Sequence, residues 1–505
     1  MLNAISRHTN PVLWFALTAL VLAASLPTSA RAASWAEVGD RTLRSDIELL
    51  AARGLIDGPI TTWPIPVGFF TGLLDESRLD KQPEFIRLAA YRVLDKLGGR
   101  NGNHGWKPTT DLRLATEPNL VRGFGASARD QADVRGGLAY EGDTVAARFQ
   151  VGTQTRLQGG NPKPTFDGSY ISFLAGNWQI YGGLVDQWYG PGWTSALTLS
   201  NNARPFPKIG LLRNNPHAFE TPWLSWLGTW QLNFFVGLLE ENTRQDRNTG
   251  VGSLRISIEP AKGLELTVSR IAEFCGGDNR CSPFQAAFGI NNTNSNRNAS
   301  NDEGTFEIKY TKDFNVLSFS PYLQISNEDT GPFTHSFETY LGGLSWAGPW
   351  GKDGAHWRLI TEYTDSRATL DAFSFGTRQV GAAYNNDQYT DGYRYRGRTL
   401  GFSLDSESTL FSLVGSVTDT RGWTYRVAYY NAHINTAELA AVQATGSPIR
   451  NIVSARPVTV NQIEAGLTVP YRDFQFDLSL RAQDKRPFPG TSGQANAELG
   501  ISYHF

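Results

Sequence analysis

From about Asp133 onward the chain alternates apolar and polar positions with a period of two. Val134, Leu138 and Tyr140 lie on one phase, and Val145, Ala147, Phe149 and Val151 take it up after the turn EGDT. Trp178, Ile180, Gly182 and Leu184 follow, then Trp230, Leu232, Phe234, Val236 and Leu238. Further on, LRISI turns through EPAKG into LELTV, and FEIKY through TKDFN into VLSFSPYLQI. TLFSLVGSV turns through TDTRG into WTYRVAYY, and IEAGLTV through PYRD into FQFDLSL. Successive side chains of a strand point to opposite faces, so each segment has one apolar and one polar face. About 18 such strands, separated by turn residues, are the pattern of an antiparallel transmembrane β-barrel.

The first hundred residues follow another rhythm. DRTLRSDIELLAARG places Leu43, Ile47, Leu50 and Ala51 at a helical period, with Asp40 as cap and Gly54 as stop. QPEFIRLAAYRVLDKLGG predicts a second helix that starts near Pro83 and ends at Gly98-Gly99. Between them PITTWPIPVGFF reads as a proline-rich extended connector. The expected organisation is a helical module and connector over 33–132, and a barrel over 133–505.

Composition changes this picture in two places. Arg7 and His8 precede the apolar run Pro11 to Leu26, and Ala30-Arg31-Ala32 supplies small residues for cleavage, so 1–32 reads as a signal peptide. The run is shorter than the roughly 20 residues of a membrane-spanning helix. An exported chain without such a helix spans a membrane only as a closed barrel. The net charge of -2 gives no support for a nucleic-acid partner. Cys275 and Cys281, the only cysteines, bracket GGDNR and most simply form one disulfide in an oxidising compartment. No His or Cys pair beside them offers a metal site, and no cofactor is expected.

With the C-terminus placed in the periplasm, the turns PYRD, TDTRG, TKDFN and EPAKG fall on the periplasmic side. Asn431 to Pro457 and Ala272 to Glu303, with its Asn-rich INNTNSNRNASN, fall outside. Asn385 to Gly397 and the run before Tyr170 are long where this parity expects short turns. The largest exception is Asp186 to Trp230, read as one folded-in segment with both ends on the periplasmic side.

That segment carries Trp188, Gly190-Pro191-Gly192, Leu199-Ser200-Asn201-Asn202-Ala203-Arg204-Pro205, Pro207, Arg213, Phe219-Glu220 and Pro222-Trp223-Leu224-Ser225-Trp226-Leu227-Gly228. Together with DIELLAARGLIDGPITTWPIP it resembles the capsule-assembly Wzi family of outer-membrane proteins. The resemblance implies an occluded, non-enzymatic, lectin-like barrel with a periplasmic helical bundle. Its implied role is to help attach capsular polysaccharide or exopolysaccharide to the cell surface.

The residue chemistry is compatible with that role, because sugar rings stack on aromatic faces and their hydroxyls take amide and charged partners. Trp188, Tyr189, Trp193, Asn201, Asn202, Arg204, Arg213, Glu220, Trp223 and Trp226 form the candidate glycan-binding set. The same residues also suit plain packing within the lumen. The outer loops, with Asn291, Asn292, Asn294, Asn296 and Arg297, are the competing location.

An enzyme finds no nucleophile signature here; His217, next to Glu220, is the best-placed histidine. An open sugar or solute porin is the alternative, although it needs neither the helices nor the folded-in stretch. The chain ends on ANAELGISYHF, in which Gly500, Tyr503 and Phe505 resemble the C-terminal signal read by the barrel-assembly machinery. Ala495, Ala497, Leu499, Ile501, Tyr503 and Phe505 should face lipid, and Asn496, Glu498, Ser502 and His504 the lumen. The expected partners are therefore polysaccharide, outer-membrane lipid and the assembly machinery, with the barrel a monomer.

Overall fold

The computed structural model describes residues 34–97, 105–155, 163–240, 244–277, 300–328, 337–369, 377–487 and 493–503. The signal-peptide region, Cys281, the Asn-rich loop, His504 and Phe505 lie outside the described residues. Among the described residues, eighteen antiparallel strands close into one barrel. The last strand, Gln494–Tyr503, pairs with the first, Gly105–Ala115, through Tyr503↔Thr110 to Glu498↔Ala115. The even strand number brings both ends of the barrel to the same side.

That side carries the short turns. Tyr471 leads to Phe474, Ala261 to Leu264, Trp350 to Ala355 and Thr418 to Thr424 within a few residues. All long connections but one leave from the opposite rim. Short turns mark the periplasmic end of such barrels, and the predicted turns EPAKG, TKDFN, TDTRG and PYRD all lie there.

The two faces separate as the alternation requires. Leu138, Phe149, Ile209, Val427, Ile463 and Leu480 stand exposed on the outer surface. Gln231, Asn233, Arg255, Gln324 and Glu362 are buried towards the lumen. In the last strand Asn496, Glu498 and Ser502 are buried, while Ala495 and Leu499 are exposed. Aromatic pairs mark the periplasmic rim: Trp106 on Tyr140 at 5.4 Å, Phe474 on Tyr503 at 4.6 Å and Phe319 on Trp346 at 5.5 Å between ring centroids. Tyr503 thus stands in the girdle expected for it.

Helix α1, Arg41–Ala52, starts where Asp40 Oδ1 accepts from the Leu43 amide at 2.9 Å. It ends as Gly54, at φ +69°, donates to Ala51 O and Leu55 to Leu50 O, a left-handed stop that glycine favours. The short helix α2, Glu76–Leu79, leads into α3, Glu84–Lys96, preceded by Pro83. Ile47, Leu50, Phe69, Phe85, Ile86 and Val93 form the core of this module. The connector is extended only in part. Thr62–Trp63 and Ile65–Pro66 form two-residue pairs, whereas Val67–Leu74 winds into a 3-10 helix.

Three expectations need correction. The barrel begins at Gly105 rather than 133, because Pro108 and Thr110 on the outward face of the first strand interrupt its apolar rhythm. The stretch 186–230 is not one folded-in segment, because Lys208–Arg213 is a wall strand between Trp178–Gly183 and Thr229–Leu238. Its inward positions are Lys208, Gly210 and Leu212, and six residues with only one polar side chain among these three were too few to show the period. Counting that strand moves Asp186–Pro207 to the outer side and leaves Asn214–Gly228 as the one long periplasmic connection. It also moves the run before Tyr170 to the outer side, where long connections belong; Asn385–Gly397 lies on that side too, between the strands Ala355–Thr369 and Thr409–Thr418.

Candidate functional site

The lumen is filled from both ends, and the two fillings meet. From the periplasmic end α1 inserts its polar face among wall charges, which is why Arg44, Asp46 and Glu48 are as buried as Ile47. Glu48 accepts from Arg44 Nε at 3.1 Å and Arg358 Nη1 at 3.1 Å, with Lys309 Nζ 3.3 Å away. Burial pushes the Glu48 carboxyl up, but Lys309, Arg358 and Arg44 outweigh it and hold it at about 2. Arg92 grips Asp46 bidentately at 2.8 Å. Wall Glu265 accepts from the Ile60 and Thr61 amides at 3.1 and 3.0 Å. Buried Arg255 joins Glu307 to Thr62 of the connector.

From the outer end, Asp186–Pro207 descends. Wall Glu362 receives the Trp193 amide at 2.7 Å, Thr194 Oγ1 at 2.6 Å and the Tyr322 hydroxyl at 2.8 Å. Gln324 takes the Leu197 amide and donates to Tyr189 O, both at 3.1 Å. Trp188–Tyr189 pairs with Thr62–Trp63 of the connector as a two-stranded ribbon. Arg44 closes the junction. Its Nη2 and Nη1 donate to Pro191 O at 2.7 Å and Gly192 O at 2.8 Å, and its guanidinium lies 4.6 Å from the Phe124 ring and 4.3 Å from Trp193. Phe124 belongs to another outer connection, 116–131, and stands edge-on to Trp63 and Trp188. A Cβ at Gly125 beside it would overlap the Arg41 guanidinium, which would have to shift.

Beside this junction a cavity of about 70 Å³ remains, lined in part by Arg41, Arg113, Arg358, Arg426, Glu464 and Arg481. That is room for roughly five waters, far less than a polymer strand needs.

The predicted glycan set divides accordingly. Trp188, Tyr189, Trp193, Asn201 and Asn202 are buried, so they offer no side-chain face to a ligand. The tryptophan and asparagine polar groups face inward: Trp188 Nε1 donates to Gly192 O, Asn201 Nδ2 to Phe124 O and Asn202 Nδ2 to Thr399 O. Arg204 holds Asp167 bidentately at 3.0 Å. Arg213 lies on Trp230, its guanidinium 3.6 Å from the ring centroid, and donates to His217 O. Trp223, Trp226, Glu220 and His217 are exposed, but on the periplasmic connection. The set is therefore not assembled into one site. Cys275 is disulfide-bonded.

What the outer mouth does present is basic. The hairpin Arg394–Tyr395 and Arg398–Thr399 turns through Arg396 and Gly397 at φ 50° and 75°, both positive as the tightest hairpin turn demands. Arg398 donates to Arg129 O at 2.9 Å and Asn202 Oδ1 at 3.4 Å. The Arg122 guanidinium donates to Ala128 O and Ser127 O. Burial and the charge of Arg129 hold the Arg398 guanidinium down to about 10. Burial, then Arg398 and Arg129, push Arg122 well below its ordinary range. Sequence reasoning missed these arginines; the signal was RYRGR, a charged tight turn inside a long connection.

Comparison with known proteins now decides the lineage. A family model described as capsule assembly protein Wzi matches residues 106–447. The chain belongs to this family. A Klebsiella pneumoniae relative, described as an uncharacterized 55.8 kDa protein in the cps region, is 28% identical over 363 residues. The match covers 70% of this chain and 69% of that one. Among solved structures, Wzi of Escherichia coli is similar with a TM-score of 0.77 at 21% identity, covering 94% of this chain and 100% of that one. It is described there as an outer membrane protein involved in group 1 capsule assembly and a carbohydrate-binding β-barrel. The Wzi-family barrel described here is an outer-membrane protein.

Proposed function

We propose that this Wzi-family barrel is a non-catalytic, lectin-like protein that helps hold exported capsular polysaccharide or exopolysaccharide at the cell surface. The observation that carries the reading is the double plug. A lumen closed by α1 and its connector from below and by 116–131, 186–207 and 377–408 from above is built to present a surface rather than to conduct. Membership in the Wzi family and the carbohydrate binding described for the E. coli relative support the same role. The open-porin alternative would need the Arg44 junction dismantled. No catalytic group is assigned. His217 and Glu220 both stand exposed on the periplasmic connection, away from the rim where surface polymer lies.

The test is direct binding. The purified, refolded barrel should bind polysaccharide isolated from the source strain saturably in titration calorimetry. Heat-unfolded barrel should not. Absence of saturable binding by the folded protein would sink the reading.

A further inference from the structure

We propose, resting on the glycan-binding reading above, that the outer mouth around the Arg394–Thr399 hairpin recognises the carboxylates of an acidic, uronate-type polysaccharide, with Arg396 and Arg398 as the contacting cations. Three observations converge on it. The first is a cluster of arginines on a chain whose formal net charge is -2. Arg122, Arg129, Arg204 and Arg398 gather there; Asp167 pairs with Arg204 and Arg129 and Asp186 with Arg129, while Asp130 attracts Arg398, and Asp133 and Glu498 attract Arg122, only from beyond ion-pair range. Arg398 and Arg122 are satisfied by carbonyl and amide oxygens, and among the described residues neither has an ion pair with a carboxylate.

The second is the energetic state of these groups. Burial first, and then the repulsion of neighbouring arginines, lowers the proton affinity of both guanidiniums. Arg122 Nε and Arg129 Nε are buried donors without a partner. An anion at the mouth relieves that repulsion, and guanidinium binds carboxylate in a planar, two-pronged geometry.

The third is access. Gly397 and Arg396 are exposed at the hairpin tip, with Arg396 lying over the Tyr395 ring at 5.3 Å. Arg398 is anchored to Asn202 and Arg129, which belong to lumen-filling connections. The site therefore stands over the mouth, inside the ring of strands, where a polymer in the aqueous phase reaches it. Lipid phosphates of the surrounding leaflet lie on the other side of the wall.

The experiment compares two probes on the full-length refolded barrel. One is the polysaccharide isolated from the source strain; the other is the same polymer with its carboxylates reduced to primary alcohols. The native polymer should bind at least about tenfold more tightly, the size of one lost charge-assisted contact, and its binding should weaken with salt. Arg396→Ala combined with Arg398→Ala should lose that same factor on the native polymer and nothing further on the reduced one, the non-additivity of two partners in one contact. Arg396→Ala alone, at the exposed tip, should show the same pattern in smaller measure, with the fold checked by gel heat-modifiability. Arg421→Ala, on an exposed periplasmic turn, should bind as wild type.

Equal affinity for both polymers, or an arginine effect that persists on the reduced polymer, overturns the inference while leaving glycan binding intact. A mouth that binds purified lipopolysaccharide in an arginine-dependent way, but not the native polymer, also overturns it. No binding of either polymer removes the underlying reading instead.

Discussion

Replacing Arg44 by alanine is expected to release the helical module from the lumen while the barrel wall stays folded. Arg44 is 1% exposed, and its one side chain joins the two plugs by both hydrogen bonds and ring contacts. It donates to Pro191 O and Gly192 O, pairs with Glu48, and lies between Phe124 and Trp193. Losing one partner of a buried ionic network costs about 3–5 kcal/mol. The wall keeps its ladder of strand hydrogen bonds, so the loss falls on local opening of residues 34–97 rather than on the barrel. A local opening made easier by ~3 kcal/mol raises protease cleavage of the module about 100-fold. Heat-modifiability of the barrel on gels should be unchanged. In planar bilayers the wild type should be silent and the variant should show openings. A variant with wild-type cleavage and no openings would mean that the plugs are held elsewhere.

The second large effect concerns Glu48, the carboxylate that three buried cations share. Glu48→Gln removes the ion-pair partner that Arg44, Lys309 and Arg358 share and leaves Lys309 and Arg358 only the weaker attraction of Glu265 and Asp46, again a loss of about 3–5 kcal/mol. The wild type should show the same dependence through pH. Glu48 titrates at about 2 in the folded protein against an ordinary 4.5. Its folded value is depressed, so its contribution of ~3 kcal/mol is present above about pH 4.5 and is lost as pH falls towards 2. Asp46 works in the opposite sense, since burial raises its carboxyl against the pull of Arg92. Module cleavage measured from pH 6 to 2.5 in the wild type and in Glu48→Gln isolates the Glu48 part. The two curves should converge at the acid end. Parallel curves would remove Glu48 as the keystone.

Much of this architecture was legible because the physics behind it is local. Strand alternation, the Asp40 cap, the Gly54 stop and the short turns each depend on a few consecutive residues. The closing strand was read correctly as far as Tyr503 for the same reason. Lys208–Arg213 was missed because, of its inward positions Lys208, Gly210 and Leu212, only the first is polar, too little contrast over six residues. One missed strand then inverted the placement of every connection counted through it.

The site was harder to read for a different reason. Trp188, Asn201 and Asn202 looked like ligand-binding chemistry, yet a polar lumen packed with folded-in loops needs the same residue types as a sugar site. Only burial separates the two uses. The arginines of the mouth come from connections nearly 280 residues apart, Arg122 to Arg398, and only closure of the barrel brings them together.

The most direct test of the central claim is made on cells. Deleting the gene in the encapsulated source strain, without disturbing its neighbours, should leave total polysaccharide unchanged while moving it from the cell-bound fraction into the medium. A plasmid copy should restore it. Unchanged cell-bound polymer in the deletion strain would contradict the account.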